Sequence, residues 1–389
     1  MKEHSLALKG TLLFVATLTI MAGTTVAPSL PAIEQTFADT EHVALLSRMV
    51  LTLPAIFVAM SAPIAGILAD RFGRKKLLVI SMLLYGLSGM SGLLADNLFF
   101  LLVGRAVLGL AIGGIMTVGT TLAGDYFTGT ERENYLGLQQ AFTQFGGVVF
   151  VVTGGILADI HWRVPFAIYA ASFLILPAVL AFLSEPAKKT APSGSLAKTA
   201  VSANWSQVLL LALATYLINV LFYTVPSQLP FFLRHLEINS ASAIGYAIGT
   251  FNLAGALVAM SFGLLRSRLA VPGILAGGLA LMATGFLMLA QASGMVSALV
   301  ALCVLGTGLG VVMPSIMSLT IKIAPPALRG RIAGLVTASM FLGHFTSPLA
   351  SQPWIGWFGF EALYRDISIA FAAMAVIAIA AASVRRWAV

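Results

Sequence analysis

The sequence predicts an all-α integral membrane protein: twelve transmembrane helices in two six-helix bundles related by a pseudo-two-fold axis. Three observations carry this. Hydrophobic residues make up 59% of the 389 positions and charged ones only 9%, too little charge to solvate a globular surface of that size. Apolar runs of about 20 residues, the length that crosses a bilayer, recur along the whole chain. Landmarks of the first half also return in the second.

The runs fall near 6–30, 43–69, 77–95, 98–123, 134–158 and 164–184, then near 205–233, 241–265, 271–291, 294–321, 328–352 and 362–384. In the first, Val26-Ala27 follows small residues, as the end of a secretory signal would. Its length and Pro28 just after such a cut favour retention as the first helix. Between the sixth and seventh runs lies the polar stretch Glu185-Pro-Ala-Lys-Lys-Thr-Ala-Pro-Ser-Gly-Ser-Leu-Ala-Lys198. Its composition is that of a flexible linker, so the chain divides into a bundle at 1–184, a cytoplasmic linker at 185–203 and a bundle at 204–389.

The net charge of +8 is accounted for by topology, so no nucleic-acid partner is expected. With the amino terminus inside, seventeen of the 22 cations fall in inside segments, among them Arg71, Arg74, Lys75, Lys76, Arg132, Lys188, Lys189, Arg266, Lys322 and Arg329. Both termini are therefore expected in the cytoplasm. Arg48, Arg163, Arg234 and Arg365 lie near outer ends and Arg105 within a helix. The single cysteine, Cys303, excludes an intramolecular disulfide and reads as a packing residue.

A shift of 197 positions lays Val107-Leu108-Gly109 on Val304-Leu305-Gly306, Gly113 on Gly310, Met116 on Met313, Arg132 on Arg329 and Gly137 on Gly334, without a gap. That is the pattern of parallel six-helix repeats.

The apolar sequence breaks off most sharply at Gly66-Ile-Leu-Ala-Asp70-Arg71-Phe-Gly73-Arg74-Lys75-Lys76. Such charge must lie at a membrane surface, and glycines flanking the Asp-Arg pair permit a tight reversal. The stretch resembles the loop signature of the major facilitator superfamily, with every defining position filled. Gly263-Leu-Leu-Arg266-Ser-Arg268 stands where the second half would carry a copy, in degenerate form. The resemblance implies a secondary transporter of the bacterial cytoplasmic membrane that works by alternating access, as a monomer in the bilayer. It implies no cofactor, a small-molecule substrate and a proton gradient as energy source. It further implies that Asp70, Arg74 and Asp125 form a charge cluster stabilising the outward-facing state, with Gly66, Arg71 and Gly73 in the same gating element. A carboxylate at Asp70 would also meet the start of helix eleven near Ala327, where the helix dipole favours it.

Arg105 lies about 10 Å into helix four at helical rise. A cation at that depth requires a cavity or a partner. Leu101-x-x-x-Arg105-x-x-x-Gly109 resembles the family's helix-four motif, in which the arginine is tied to substrate or to proton coupling, although Leu108 replaces its usual glutamine. The plain alternative is an arginine reaching outward or paired with a loop carboxylate such as Glu34. None of the 14 carboxylates falls in the core of a predicted helix, a departure from the related exporters that use a buried acid. Helix one offers Thr17, Thr24 and Thr25 before Pro28-Ser-Leu-Pro31 instead. His344 shares a helix-eleven stripe with Thr337, Ser347 and Ser351. It can carry a proton or simply hydrogen-bond across helices. Gln140 and Gln144 on helix five, Tyr216, Asn219, Tyr223 and Ser227 on helix seven, and Tyr246 and Asn252 on helix eight together suggest a neutral-to-cationic pocket, although interhelical hydrogen bonding explains any one of them as well. Gly146 to Gly155 resembles the antiporter glycine motif but has Phe150 and Val151 where Gly-Pro belongs.

No phosphate-binding loop, zinc pair or Ser/His/Asp grouping is present, which argues against an ATP-driven pump or an enzyme. Three readings stand: proton-coupled efflux of drugs or metabolites, export of an anionic metabolite such as a carboxylate siderophore, and a non-transporting membrane sensor or assembly factor.

Overall fold

A computed structural model describes residues 6–185, 203–325 and 328–386. The predicted linker lies, except for Glu185 and Ala203, outside the described residues, as does Ala327. Ten helices are separate: α1 (Leu6–Thr36), α2 (Val43–Phe72), α3 (Arg74–Leu93), α4 (Leu98–Tyr126), α5 (Gly129–Ile160), α6 (Val164–Phe182), α7 (Trp205–His235), α8 (Ala241–Met260), α9 (Val271–Ala290) and α10 (Met295–Ile323). The stretch Arg329–Arg386 runs on without a loop, but Gly359 at φ 85° and ψ 175° breaks it into α11 (329–358) and α12 (360–386). Twelve spans thus form among the described residues, which contain no strand.

Local chemistry explains the boundaries. Side-chain oxygens of Asn97, Asn204 and Ser240 accept from the third amide beyond them, satisfying otherwise orphaned N–H groups. Pro28 and Pro31 tighten α1 into a 3-10 turn at Ala27–Ser29, since proline lacks the amide that an α ladder needs. The helix then resumes to Thr36, six residues beyond the predicted end.

The internal repeat is visible as packing. A Cβ added at Gly109 would lie 2.4 Å from the Pro54 carbonyl oxygen of α2, and one at the matching Gly306 would lie 2.2 Å from the Phe251 carbonyl oxygen of α8. Gly113 and Gly310 are equally tight, against Ser61 and Gly255. Lipid gives helices no hydrophobic reason to associate, so close backbone approach through small residues does that work. Gly137 and Gly334 match in sequence but touch nothing within 4 Å. Two expectations change. Cys303 is exposed on α10 rather than packed. Gly66 faces only Thr117, at an ordinary 3.9 Å, so no close approach requires glycine there in this conformation.

Gly109→Ala and Gly306→Ala should each destabilise the detergent-solubilised protein, by about 1–3 kcal/mol for an overpacked contact. Gly137→Ala and Gly334→Ala should leave thermal unfolding unchanged.

Candidate functional site

Every hydrogen bond between described residues that joins the two halves lies at the end opposite the charged turn. Arg48, one turn into α2, is its centre. Its guanidinium pairs with Glu34 of α1, donates from Nε to Gln228 Oε1 of α7 at 2.8 Å and stacks 3.4 Å above the Phe231 ring. Gln228 passes the contact on, donating to Ser351 Oγ of α11 at 2.8 Å. Arg234 of α7 donates to the Pro31 carbonyl and to Gln35. On the other side, the Asp159 carboxylate ends α5 and caps α8 across the interface. It accepts from the Ala241 amide at 2.6 Å, the Ser242 amide at 3.2 Å and Ser240 Oγ. A carboxylate at the positive end of a helix is favoured by the dipole as well as by its hydrogen bonds. Gly154 and Gly155 bring α5 against the Thr25 and Ala241 carbonyls, so the surviving glycines of helix five serve close packing. Sequence reasoning found Arg48 but neither Gln228 nor Asp159. The available signal was Asp159 facing the Ser240-Ala-Ser242 start of the next long helix. The structure pairs Glu34 with Arg48 and not with Arg105.

The charged turn is ordered within its own half. Arg74 Nη1 lies 2.9 Å from Asp125 and Nη2 lies 3.8 Å from Asp70, so the implied cluster forms. Glu185 caps α3 through the Arg74 and Lys75 amides at 2.6 and 2.9 Å, beneath Gly73 at φ 98°. Arg71 only overlies the neighbouring Phe72 ring. The Asp70 side chain stays 78% exposed, and no hydrogen bond or ion pair between described residues ties it to α11. Among the described residues no hydrogen bond or ion pair latches the two halves at this end, while the other is sealed.

Between the two ends lies a polar belt. On α5, Gln140, Gln144, Val151 and Gly155 form one stripe at spacings of four, seven and four. Val151 and Gly155 pack on Gly245 of α8 near the sealed end. The two glutamines continue the stripe toward the unlatched end, partly exposed and without a protein partner among the described residues. Asn252 continues the matching stripe of α8 beyond Gly245 and Gly249. Tyr246 falls off it.

On the other side, the Tyr223 and His344 rings stack with centroids 4.0 Å apart and planes 18° from parallel. Asn219 Nδ2 donates to the Thr215 carbonyl at 2.7 Å. Its Oδ1 is therefore the atom 3.0 Å from His344 Nε2, and the imidazole donates there, leaving Nδ1 as an acceptor. Asn219 itself is fully buried, so it orients the ring rather than facing the opening. Asn219 and His344 each lie near the middle of their helices, roughly 21 Å from either end at helical rise. The helix-one threonines spend their hydroxyls on their own backbone.

Arg105 does not reach this belt. It is 1% exposed, donates to the Tyr169 hydroxyl and the Gly89 carbonyl, both at 2.9 Å, and sits between the Phe166 and Tyr169 rings. Tyr169 in turn donates to the Ala22 carbonyl of α1 at 3.1 Å. The charge is stabilised by one carbonyl oxygen, one hydroxyl and ring faces, without a carboxylate among the described residues.

A sequence model described as Major Facilitator Superfamily matches residues 12–348 and 235–387. Multidrug resistance protein MdtG of Enterobacter lignolyticus is 27% identical over 362 residues, covering 89% of this chain and 85% of that protein. The class H tetracycline resistance protein of Pasteurella multocida is 29% identical over 209 residues, a match spanning about half, 52%, of each chain. The bacillibactin exporter of Bacillus subtilis is 31% identical over 146 residues, 36% of each chain. Among solved structures, a bacterial homologue of the human lysosomal transporter Spinster, described as inward-facing and unoccupied, superposes with a TM-score of 0.78 at 17% identity. That match covers 98% of this chain and 96% of the other.

Arg48→Ala strands Glu34 and Gln228, and loss of one partner of a buried pair costs about 3–5 kcal/mol. With spin labels at Glu41 and Asn239 in a Cys303→Ser background, the distance distribution should move to longer values. Asp159→Ala should produce a smaller shift in the same direction.

Proposed function

The chain belongs to the Major Facilitator Superfamily, and on that premise we propose that it is an exporter of small organic solutes, neutral or weakly cationic, driven by proton exchange. One observation carries the choice of solute. The mid-depth belt offers amides and a stacked tyrosine–histidine pair, while both intramembrane arginines are enclosed by partners of their own. An apolar, flat solute gains ring stacking and a few hydrogen bonds there, and an anion would meet no free positive charge. The similarity to MdtG supports the same class.

In this reading the solute enters from the unlatched end, which faces the cytoplasm with both termini. Asp70 then meets the start of α11 as that end closes, and the clasps at Arg48 and Asp159 release. His344 is the proton carrier through its free Nδ1, in the absence of a carboxylate in any helix core. The protein acts as a monomer in the inner membrane without a bound cofactor or nucleic acid. The similarity to the bacillibactin exporter favours a second reading, export of an anionic solute, which requires Arg105 to turn out of its aromatic enclosure.

In proteoliposomes with an imposed pH gradient, His344→Gln should abolish gradient-driven accumulation and leave solute–solute exchange within a few-fold of wild type. Arg105→Ala should lower flux of neutral, cationic and anionic test compounds by a common factor. Selective loss of anion flux would establish the second reading, and absence of flux from a folded protein would leave the sensor role.

A further inference from the structure

The two repeats treat charge differently where they meet the membrane surface. In the first half one cation of the turn, Arg74, sits between two acids, Asp70 and Asp125. The 197-residue offset puts Ser267 at the position of Asp70 and Lys322 at that of Asp125. The second half has therefore lost both carboxylates, one of them to a charge reversal, while it keeps a cation at the positions of Arg71 and Arg132, as Arg268 and Arg329, and gains Arg266 opposite Ala69. Arg266, Lys322 and Arg329 come from three different elements, the short helix Phe262–Arg268, α10 and α11. They line one groove of about 590 Å³ together with Ser318 and the first turn of α9. None of the three has an ion pair with another described residue.

The remaining walls are apolar. Leu269 and Ile321 line the groove while 55% and 54% exposed, at the level where α8 to α11 leave the hydrocarbon. The uncapped amino terminus of α9 adds its positive dipole end.

We propose that this groove binds the headgroup of an anionic glycerophospholipid: the phosphate lies among Arg266, Lys322 and Arg329, and the acyl chains lie along Leu269 and Ile321. Basic pockets between helices at a cytoplasmic boundary have the charge and the depth for such headgroups. Exposed leucine and isoleucine beside the cations suit a lipid and offer nothing to a soluble phosphate.

The test is native mass spectrometry of the purified protein titrated with phosphatidylglycerol, phosphatidylcholine or inorganic phosphate. The expected result is retention of phosphatidylglycerol at least ten-fold over phosphatidylcholine. That preference should be lost in the Arg266→Ala, Lys322→Ala, Arg329→Ala triple variant and kept in a Lys76→Ala, Arg132→Ala control. Should the triple variant fail to fold, Arg266→Gln alone should lower the preference several-fold. Equal retention of the two lipids, an unchanged preference in the variants, or displacement of phosphatidylglycerol by millimolar inorganic phosphate would each overturn the assignment.

Discussion

One guanidinium is shared between the two halves at the sealed end. Arg48 is nearly buried at the lip of the hydrocarbon, where a lone cation is costly, and its compensation comes from both halves at once: Glu34 from α1, Gln228 and the Phe231 ring from α7. Desolvating the charge and joining the bundles are therefore the same event. The seal cannot part without either carrying Glu34 along as a neutral pair or wetting the site. Asp159 imposes a second condition through the amino terminus of α8.

The other buried arginine is handled in the opposite way. Arg105 takes its partners only from its own half, through Gly89, Tyr169 and two ring faces, so its charge holds α3, α4 and α6 together and, through Tyr169, α1 as well. Two cations at similar depth thus do different jobs, one between bundles and one within. What is left for a solute at mid-depth is uncharged: amides on α5 and α8 and a ring pair on α7 and α11.

Much of this architecture is legible in the sequence because a bilayer allows few alternatives. Run length alone gives the spans, and the repeated glycines mark helix contacts that the structure confirms at Gly109, Gly113, Gly306 and Gly310. The Asp70, Arg74 and Asp125 cluster is implied by the resemblance of the charged turn to the family's loop signature. What spacing cannot convey is partnership across distant helices. Glu34 reads equally well as a partner for Arg105 or Arg48, which begin on different helices near the same surface. Gln228 sits among prolines and looks like an ordinary helix interruption. Asp159 reads as a loop acid until the start of α8 packs against the end of α5. His344 stands out from sequence, but its orientation by a buried Asn219 depends on a crossing angle that no local pattern encodes.

Gly73 and Gly359 each make a corner from a single residue, one at either surface and one in either half. A mechanical linkage with such corners has no slack. Torque applied to α2 is passed at once to α3, and displacement of α11 drags α12 with it, because no loop length is available to absorb the difference. Each half is thereby braced along its own perimeter. The freedom the molecule retains is concentrated where the two frames meet, so that rocking of the frames costs less than bending either one.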